Sequence, residues 1–500
     1  MPSRDIHSYA HPCIRRLLPA VALLVAVAWF TPICHAGDAA EAADAETDRP
    51  NFIFLLTDDQ GWQDMACAGH PYLRTPNFDR LAREGTRFEQ FYSAASVCSP
   101  SRAAFMTGHY PARHHIHRHF GGHRHNSANN MPDWLSPQAV TITRLLQQSG
   151  YRVGHFGKWH LGHAKGAPEP GAYGIDQYRT LVGTGPGWDR HGNRTPTDLA
   201  HASYNSCTSK DYFWTHSTDL IVDEAIAFLE EKPDQPFYLN LWTLLPHAPN
   251  RPTAKQLARY EHLKANPRDF GSWMRQYAED AKNLPSQMQT YCAVINNIDS
   301  ALGRLLDKLD ELDVADNTLV FFTSDNGPED YHIGNVRNSG MGSPGPLRAR
   351  KRSLYDGGVR MPCIARWPGT VPAGQVDTTS VIGAVDWLPT ICSLAGLEIP
   401  DIKPDGQDVS DILRGTTRPR GQSLFWEWRA GVAGNQAYRP PPLAIREGPW
   451  KLFAQPDGSG LELYHIPNDP EERENMAEAH PDVVARLLPK LLAWKKTLPE

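Results

Sequence analysis

The sequence has few cysteines, no dominant basic stretch and, after residue 36, no long apolar run. Eight cysteines are spread over 500 residues, a spacing that indicates neither a disulfide scaffold nor a zinc site. A formal charge of −6 without a basic stripe gives no reason to expect nucleic-acid binding. Because a membrane helix needs about 20 apolar residues, we expect no membrane span in the remaining chain.

What is present is the composition of a folded protein with a large core. Hydrophobic residues make up 40% of the chain, and 14 tryptophans with an ordinary charged fraction argue against disorder. This length suits one large α/β domain or two domains. Proline and glycine accumulate at residues 395–420. We therefore predict a catalytic domain over residues 51–400 and a smaller C-terminal subdomain over residues 401–500.

The first 36 residues have the pattern of a signal peptide. Two arginines precede an apolar run over residues 17–30, and a small-residue cleavage site ends at Ala36. The run is too short for a membrane span, and Cys34 lacks the small residue expected before a lipid-bearing cysteine. Residues 37–50 form an acidic, Ala-rich linker. We expect an exported protein, periplasmic or secreted, that keeps six cysteines after cleavage.

Four predicted strands end in polar or charged side chains. These are Asp58 and Asp59 after residues 51–56, Lys158 and His160 after residues 151–157, His247 after residues 237–243, and Asp325 and Asn326 after residues 318–323. Ligands bind at the carboxyl ends of strands in doubly wound sheets, so we expect these side chains to share a site. Lys158 and His160 both face that site if their segment stays extended.

Each of these residues also fits a structural role when taken alone. Asp58 and Asp59 fit a solvated turn, which avoids the cost of burying two adjacent carboxylates. Lys158 fits a surface position beside a packed tryptophan. His247, between two prolines, fits a rigid structural loop. The agreement of four strand ends is what favours the functional interpretation.

A cysteine stands at the start of a predicted helix. In Cys98-Ser99-Pro100-Ser101-Arg102, the proline and the helix-forming run after it indicate a strand-to-helix turn. Backbone N–H groups at a helix N-terminus favour anions, and an oxyanion held there would also meet Arg102. From the residues alone, Cys98 also fits a buried thiol, half of a disulfide or a plain thiolate nucleophile.

Together these motifs resemble the type I, formylglycine-dependent sulfatases of the alkaline phosphatase superfamily. Cys-x-Pro-Ser-Arg followed by Ala-x-x-x-Thr-Gly resembles the sulfatase signature, and Gly-Lys-Trp-His-Leu-Gly at residues 157–162 is a second sulfatase motif. The motifs match in the family's order from Asn51 to about Asn475. The resemblance implies an α/β fold with a large mixed, mostly parallel sheet flanked by helices. It also implies a smaller C-terminal α+β subdomain with a four-stranded antiparallel sheet and a helix.

The resemblance further implies a modified cysteine and a bound divalent metal. Cys98 would be oxidised to formylglycine by a formylglycine-generating enzyme. The implied metal site consists of Asp58, Asp59, Cys98, Asp325 and Asn326. Its carboxylate and amide oxygens suit Ca²⁺, which accepts more oxygen ligands at looser geometry, or alternatively Mg²⁺.

The implied catalytic residues are Cys98, Arg102, Lys158, His160, His247, Asp325 and Lys351. In the implied mechanism, a hydroxyl of the hydrated aldehyde passes its proton to Asp325 and attacks sulfur. His247 protonates the leaving oxygen and Lys351 holds the sulfate. His160 then deprotonates the second hydroxyl, which expels sulfate. Arg102 and Lys158 stabilise the hydrate and its charge.

Lys351 lies in a basic run that departs from the family's pattern. Ala349, Arg350 and Arg352 stand where many sulfatases have glycine, and Asp356 stands where glutamate is usual. Such a run is usually a solvated face. The alternative is that it meets a second anionic group on the substrate.

Two other segments give weaker signals. Residues 109–125 contain seven histidines, which fit a metal site, a substrate-facing loop or a solvated loop. The histidines are His109, His114, His115, His117, His119, His123 and His125. Residues 164–216 have no clear period and are expected to form a long insertion over the site.

The leading hypothesis is an exported sulfatase that hydrolyses sulfate monoesters of a sulfated carbohydrate. One alternative is a phosphonate or phosphate monoester hydrolase of the same superfamily, because the same charge clamp suits phosphoryl groups. The other is a catalytically silent glycan-binding protein with Cys98 unmodified.

Overall fold

Strands and helices alternate along most of the chain in the computed structural model, which describes residues 49–330, 338–430 and 436–499. The signal peptide and almost all of the linker predicted for residues 1–50 lie outside the described residues. The strands are β1 (Asn51–Asp58), β2 (Thr86–Phe88), β3 (Phe91–Tyr92), β4 (Arg152–Lys158), β5 (Gln177–Leu181), β6 (Gly187–Trp188), β7 (Arg194–Thr195), β8 (Phe237–Pro246), β9 (Thr318–Ser324), β10 (Arg360–Met361), β11 (Cys363–Arg366), β12 (Gln375–Asp377), β13 (Ile382–Gly383), β14 (Leu424–Glu427), β15 (Leu443–Glu447), β16 (Trp450–Ala454) and β17 (Glu462–His465). The α-helices are α1 (Pro76–Arg83), α2 (Cys98–Thr107), α3 (His123–Ala128), α4 (Ile142–Gln148), α5 (Tyr212–Glu231), α6 (Ala254–Ala258), α7 (Ser272–Glu279), α8 (Leu284–Glu311), α9 (Asp356–Val359), α10 (Trp387–Leu394), α11 (Ser410–Leu413) and α12 (Pro481–Lys496).

The main sheet has eight strands in the order β12-β2-β11-β9-β1-β8-β4-β5. Strands β9, β1, β8, β4 and β5 run parallel to one another, whereas β11 is antiparallel to both β9 and β2. This confirms the predicted large, mixed, mostly parallel sheet. The central strand β1 is buried along its whole length, which explains its nearly continuous apolar sequence.

Helices flank this sheet in two groups. Helices α5 and α8 pack against each other and against β8, while α10 packs against α2 and α4. The helical spacing of apolar residues from Tyr291 to Leu309 predicts a helix, and that apolar face is buried in α8. Helix α8 begins earlier, at Leu284, where the Asn283 side chain accepts a hydrogen bond from the first turn. The amphipathic pattern of residues 217–231 likewise predicts a helix, but α5 begins at Tyr212, and His216 has non-helical dihedrals inside it.

The C-terminal part contains a four-stranded antiparallel sheet in the order β14-β15-β16-β17. Helix α12 packs on β15 and β16 and contains Pro489, a residue that predicts a kink in a helix from about Pro481 to Trp494. The helix continues past it to Lys496. The predicted C-terminal sheet with one helix is therefore confirmed. The described residues fall in one compact unit, and the division at residue 400 stays a prediction.

Residues 164–216 differ from the expected insertion. Strand β5 lies within this segment and forms the edge of the main sheet beside β4. Strands β6 and β7 form a separate short hairpin. The first three residues of β5 are half-buried because an edge strand is covered less than a central one. Its sequence therefore lacks the apolar run by which we recognised the central strands.

The six described cysteines are all free thiols: Cys67, Cys98, Cys207, Cys292, Cys363 and Cys392. The half-disulfide interpretation of Cys98 therefore fails in this structure. No helix in the described ranges is both long and apolar enough to cross a membrane.

Candidate active site

The candidate site lies where four neighbouring parallel strands end. Strands β9, β1, β8 and β4 are adjacent in the sheet, and their carboxyl ends lie at the same edge. The loops after these strands carry the side chains singled out from the sequence. The parallel pairing of these strands, rather than their distance along the chain, brings those side chains together.

Asp58 forms a buried ion pair with Lys158. The Lys158 Nζ donates to Asp58 Oδ2 over 2.5 Å, and Asp58 Oδ1 lies 3.8 Å from Arg102 Nη2. Burial alone raises the pKa of Asp58, but the cations of Lys158, His247, Arg102 and Lys351 outweigh it and hold the pKa well below its usual range. Asp58 is therefore an anion at neutral pH, and its Oδ1 has no hydrogen-bond partner in the described structure.

Arg102 fixes the second buried carboxylate. Its Nε and Nη2 atoms donate to Asp325 Oδ2 over 3.0 and 2.7 Å, and its Nη1 donates to the Lys158 carbonyl over 2.8 Å. Burial and the nearby Asp58 raise the pKa of Asp325 to about 7, although Arg102 opposes this. Asp325 is thus poised to hold or release a proton near neutral pH.

Asp59 is held in place from three sides. Lys351 Nζ donates to both of its carboxylate oxygens, over 2.6 and 2.8 Å, and Asn326 Nδ2 donates to Oδ1 over 2.7 Å. The Asp59 N–H donates to Asp325 Oδ1 over 3.3 Å. Asp59 has a φ of 69°, an uncommon value for a residue with a side chain, just after the register between β1 and β8 shifts. This turn directs both consecutive aspartates into one site.

Cys98 is the first residue of α2 and is only 3% exposed. Its sulfur and one carboxylate oxygen each from Asp58 and Asp325 all lie within 4.8 Å of one another. Burial raises the pKa of Cys98 more than Lys158 and Lys351 lower it, so the thiol stays protonated at neutral pH. This argues against the plain thiolate interpretation. Arg102 follows one helical turn later and faces the same site.

His247 follows Pro246, the last residue of β8. Its Nδ1 lies 2.6 Å from the Ala248 carbonyl oxygen and 3.4 Å from the Tyr204 hydroxyl. A carbonyl only accepts hydrogen bonds, so Nδ1 carries a proton and donates to it. The other ring nitrogen, Nε2, lies 3.8 Å from Asp59 Oδ2 and is the atom that faces the site.

Comparison with known proteins agrees with this geometry. A family model described as "Sulfatase" matches residues 50–397, and a second, described as "N-sulphoglucosamine sulphohydrolase, C-terminal", matches residues 349–497. The chain belongs to the sulfatase family. Members of this family hydrolyse sulfate esters, so the chain is a sulfuric ester hydrolase.

Relatives of this sulfatase match it over most of their length. The N-acetylgalactosamine-6-sulfatase of the dog, Canis lupus familiaris, is 30% identical over 90% of this chain and 86% of its own. Human arylsulfatase A (Homo sapiens) is 31% identical over 88% of this chain and 86% of its own. The crystal structure of Ps i-CgsB in complex with k-i-k-neocarrahexaose has the same fold, with a TM-score of 0.69, 24% identity and coverage of 89% and 92%.

In this sulfatase, His160 reaches the site differently from our expectation. Strand β4 ends at Lys158, and His160 has a φ of 54°, so the segment does not stay extended. The Nε2 of His160 lies 3.2 Å from the Phe120 carbonyl, to which it must donate, and Nδ1 has no partner among the described residues. Burial and Lys158 keep the pKa of His160 well below its ordinary value. Its ring is therefore neutral, with Nδ1 left as a proton acceptor.

The seven histidines of residues 109–125 do not form a metal site in the described structure. Among all the described residues, two groups of side chains could hold a metal ion: Asp58 with Cys98 and Asp325, and Asp58 with Asp59 and His247. His123 pairs instead with Asp133 at the surface over 2.7 Å. His119 has a place near the site, since its ring centre lies 6.3 Å from that of His160.

Two residues of this site, Glu329 and Tyr204, are not among those predicted from the sequence. Glu329, 2% exposed, lies 3.4 Å from Lys351 Nζ and forms an ion pair with Arg352. Tyr204 contacts His247 from the 3₁₀-helix His201–Ser206. Glu329 stands three residues after Asn326, and that closeness to a strand-end motif was an available signal. Tyr204 lies in a segment without periodicity, which offered none.

Proposed function

We propose that this sulfatase hydrolyses a sulfate monoester of a sulfated carbohydrate, with Cys98 converted to formylglycine after translation and a divalent metal held beside it. The observation that carries the proposal is the convergence of four strand ends on the buried Cys98. A carbohydrate substrate is supported by two similar proteins, an N-acetylgalactosamine-6-sulfatase and a sulfatase-fold protein crystallised with k-i-k-neocarrahexaose. We also propose that the protein is exported and matured by a formylglycine-generating enzyme.

The buried oxygens at the strand ends fit a hard divalent cation. Asp58, Asp59, Asp325 and Asn326 would hold it, and their donor atoms are the carboxylate and amide oxygens that Ca²⁺ and Mg²⁺ prefer. Asp58 Oδ1 and Asn326 Oδ1 are buried yet accept no hydrogen bond from any described residue. A buried acceptor without a donor is costly unless a ligand satisfies it. When bound, the cation supplies positive charge that stabilises developing negative charge on oxygen.

Cys98 is placed where an oxidised side chain would meet several cations. Arg102 lies one turn further along α2, and Lys158 and Lys351 exert their charges on the thiol. Formylglycine, once formed, supplies a hydrated aldehyde with two hydroxyl groups as the nucleophile. The three cations would hold the sulfate ester against that position and compensate its charge.

Two histidines are set up for opposite proton transfers. His247 donates from Nδ1 to the Ala248 carbonyl, so Nε2 faces the site. Because burial lowers the pKa of His247, its Nε2 would have to take up a proton beside the anionic substrate before it passes that proton to the leaving oxygen. His160 donates from Nε2 to the Phe120 carbonyl, so Nδ1 is left to accept a proton. Asp325 has a carboxylate oxygen within 4.8 Å of the Cys98 sulfur and is the third group, placed to accept the proton of the attacking hydroxyl. These roles reproduce the acid and base pair that ester hydrolysis needs.

The test is the Cys98→Ser variant, produced beside wild type with a formylglycine-generating enzyme. We expect wild type to hydrolyse para-nitrophenyl sulfate and its Cys98 peptide to lose mass through oxidation. Cys98→Ser should fold and fail to turn over, because serine offers one hydroxyl and cannot expel sulfate intramolecularly. Full turnover by Cys98→Ser, or by wild type with an unmodified peptide, would refute the mechanism. Faster hydrolysis of the matched aryl phosphonate would identify the phosphonate hydrolase, and binding without turnover would identify the glycan-binding alternative.

A further inference from the structure

Of the four departures from the family's pattern, three lie within two residues of Lys351, and the structure separates these three by role. Arg350 is 2% exposed, donates to the carbonyls of Glu329, Gly340 and Gly342, and lies 3.9 Å from the ring centre of Tyr277. It therefore holds the loop together and is not available to a ligand.

Ala349 and Arg352 both have a positive φ, 66° and 73°. Ala349 is buried and apolar, so it offers no group to a ligand. The Arg352 side chain carries a charge and is 20% exposed, so part of it is accessible. Arg352 is the departure that remains to be explained.

Glu329 supports the guanidinium of Arg352 from the buried side. Its Oε1 accepts from Arg352 Nη1 and its Oε2 accepts from Nη2, the latter over 3.2 Å. Glu329 Oε2 also lies 3.4 Å from Lys351 Nζ. The Glu329 carboxylate thus fixes Arg352 beside Lys351, the lysine expected to hold the scissile sulfate. A guanidinium has five N–H donors, so one that pairs with a carboxylate on one side keeps further donors for a second anion.

The charge of Asp59 acts on Arg352, and the charges of Lys351 and Arg352 act on His119. The guanidinium therefore lies within electrostatic range of the site and of the histidine-rich segment. The Arg352 side chain is 20% exposed, whereas the side chains of Asp58, Arg102 and Asp325 are fully buried.

The charge balance of the described site leaves room for a second anion. With Asp325 ionised, as a bound cation would require, its cations and carboxylates are equal in number: Arg102, Lys158, Lys351 and Arg352 against Asp58, Asp59, Asp325 and Glu329. A divalent cation would add two positive charges, and one sulfate ester would cancel one of them. One positive charge then remains to attract a further negative group.

We propose that Arg352, positioned by Glu329, binds a second anionic group of the substrate, a carboxylate or a second sulfate close to the scissile ester. The inference rests on the proposed function, since it presumes that Lys351 holds the reacting sulfate. The preferred substrate is then a saccharide that carries two neighbouring negative groups. Arg352 is thereby a specificity determinant, and Glu329 is its positioning residue.

The experiment compares para-nitrophenyl sulfates that carry, ortho to the ester, hydrogen, a neutral carboxamide, a carboxylate or a second sulfate. For wild type we expect kcat/KM to be higher for at least one doubly anionic ester than for the carboxamide. Arg352→Ala should reduce that preference by about tenfold or more, the value of a charge-assisted hydrogen bond. Arg352→Lys should restore part of it. Comparing kcat/KM for the ester with an ortho carboxylate and for the ester with a second sulfate shows which anion is recognised.

Glu329→Gln separates positioning from simple charge. This variant raises the net positive charge of the site but removes the support of Arg352. We expect the preference for two anions to fall, whereas an effect of net charge alone would make it rise. Arg414→Ala, which removes an exposed arginine outside the site, is the matched charge control. It should leave kcat/KM unchanged for both the singly and the doubly anionic esters.

A binding measurement keeps the inference independent of turnover. In a Cys98→Ala background, calorimetry with the doubly anionic ester should give a Kd about tenfold weaker after Arg352→Ala. Equal losses for singly and doubly anionic esters, or no loss for either, would overturn the inference. If matured wild type hydrolyses none of the esters, the proposed function fails, while the calorimetry still decides the role of Arg352. Thermal unfolding of each variant excludes misfolding as the cause.

Discussion

Two buried clusters of charge in this sulfatase are made from the same residue types but are completed differently. One is the proposed catalytic group around Asp58, Asp325 and Lys158, which we call the catalytic group. The other joins the C-terminal sheet to the rest of the chain through Lys451, on β16, and its partners Asp356 and Glu472. In the catalytic group, Asp58 Oδ1 has no hydrogen-bond donor in the described structure. In the second group, which we call the junction cluster, all four carboxylate oxygens have one.

The junction cluster is a closed network. Lys451 Nζ donates to Asp356 Oδ1 over 2.6 Å and to Glu472 Oε1 over 3.1 Å. The Tyr92 hydroxyl donates to Asp356 Oδ2 over 2.9 Å, and the Asp356 N–H donates to Glu472 Oε2 over 2.6 Å. Lys451 also donates to the Leu354 carbonyl over 2.8 Å. The cluster thereby anchors the segment that continues from Lys351.

The comparison teaches that burial and charge by themselves do not mark a functional site. Both clusters contain fully buried lysines and aspartates. What distinguishes the catalytic group is acceptors left without donors at the ends of parallel strands. Mutations should therefore affect chemistry at one cluster and stability at the other.

The largest effect is expected from Asp58→Asn in the catalytic group. The substitution keeps the shape of the side chain but removes the charge that pairs with Lys158 and would bind the metal. We expect kcat on para-nitrophenyl sulfate to fall by about a thousandfold or more. The measurement is steady-state kinetics of the matured protein at equal formylglycine content.

A second readout identifies the metal's part in this loss. Added Ca²⁺ should raise the Tm of chelator-treated wild type, since a ligand that binds the folded state stabilises it by about 3 kcal/mol at a hundredfold excess over Kd. Asp58→Asn should lose most of that rise. Asp64→Asn is the matched control, because Asp64 is buried yet bonded to Gly61, Tyr291 and Ser343. A calcium response that survives in Asp58→Asn would contradict the assigned ligand.

The next effect is expected from Lys451→Met in the junction cluster. Methionine keeps the apolar stem but leaves Asp356 and Glu472 buried without their cation. Breaking a buried ion pair in this way costs about 3–5 kcal/mol of unfolding free energy. Denaturant titration measures this loss, and kcat per folded molecule should fall far less than in Asp58→Asn. If Lys451→Met kept its stability but lost turnover, the junction cluster would serve catalysis and not stability, which would contradict the distinction between the two clusters.

The smallest effect, taken per unit of pH, is the pH dependence of stability that the junction cluster confers. Burial and the nearby Asp356 raise the pKa of Glu472 to about 8, although Lys451 opposes this. The folded protein therefore keeps a proton on Glu472 that the unfolded chain releases at about pH 4.5. Stability from this group is present at acidic pH and declines as pH rises from about 5 to 8, by up to about 1.4 kcal/mol per pH unit.

Glu472→Gln imitates the protonated side chain and tests this sign. We expect its unfolding free energy to depend less on pH over that window than wild type does. Chemical denaturation at several pH values measures the difference. An equal pH dependence in the variant and in wild type would mean that Glu472 is already ionised in the folded protein over this window.

The sequence determined those parts of the protein where a local pattern has one physical solution. The apolar run of residues 51–56 can only be satisfied in a buried strand, and the helical spacing from Tyr291 to Leu309 only by a helix with one buried face. The strand-end motifs likewise named most of the side chains that meet around Cys98. In the C-terminal part, apolar and polar residues alternate over residues 423–429, 443–447, 450–454 and 461–466, and this pattern predicts the four short strands of the small sheet.

The tertiary structure decided what depends on contacts between distant segments. The support of Arg352 by Glu329, the approach of Tyr204 to His247 and the edge position of β5 join residues whose own neighbourhoods carry no periodic signal. Whether a buried carboxylate is saturated with donors, as in the junction cluster, or left open, as at Asp58, is also decided there. Hydrogen bonds and electrostatic interactions form between residues that are close in space. The order of residues along the chain does not show which distant residues will be neighbours, because folding decides that.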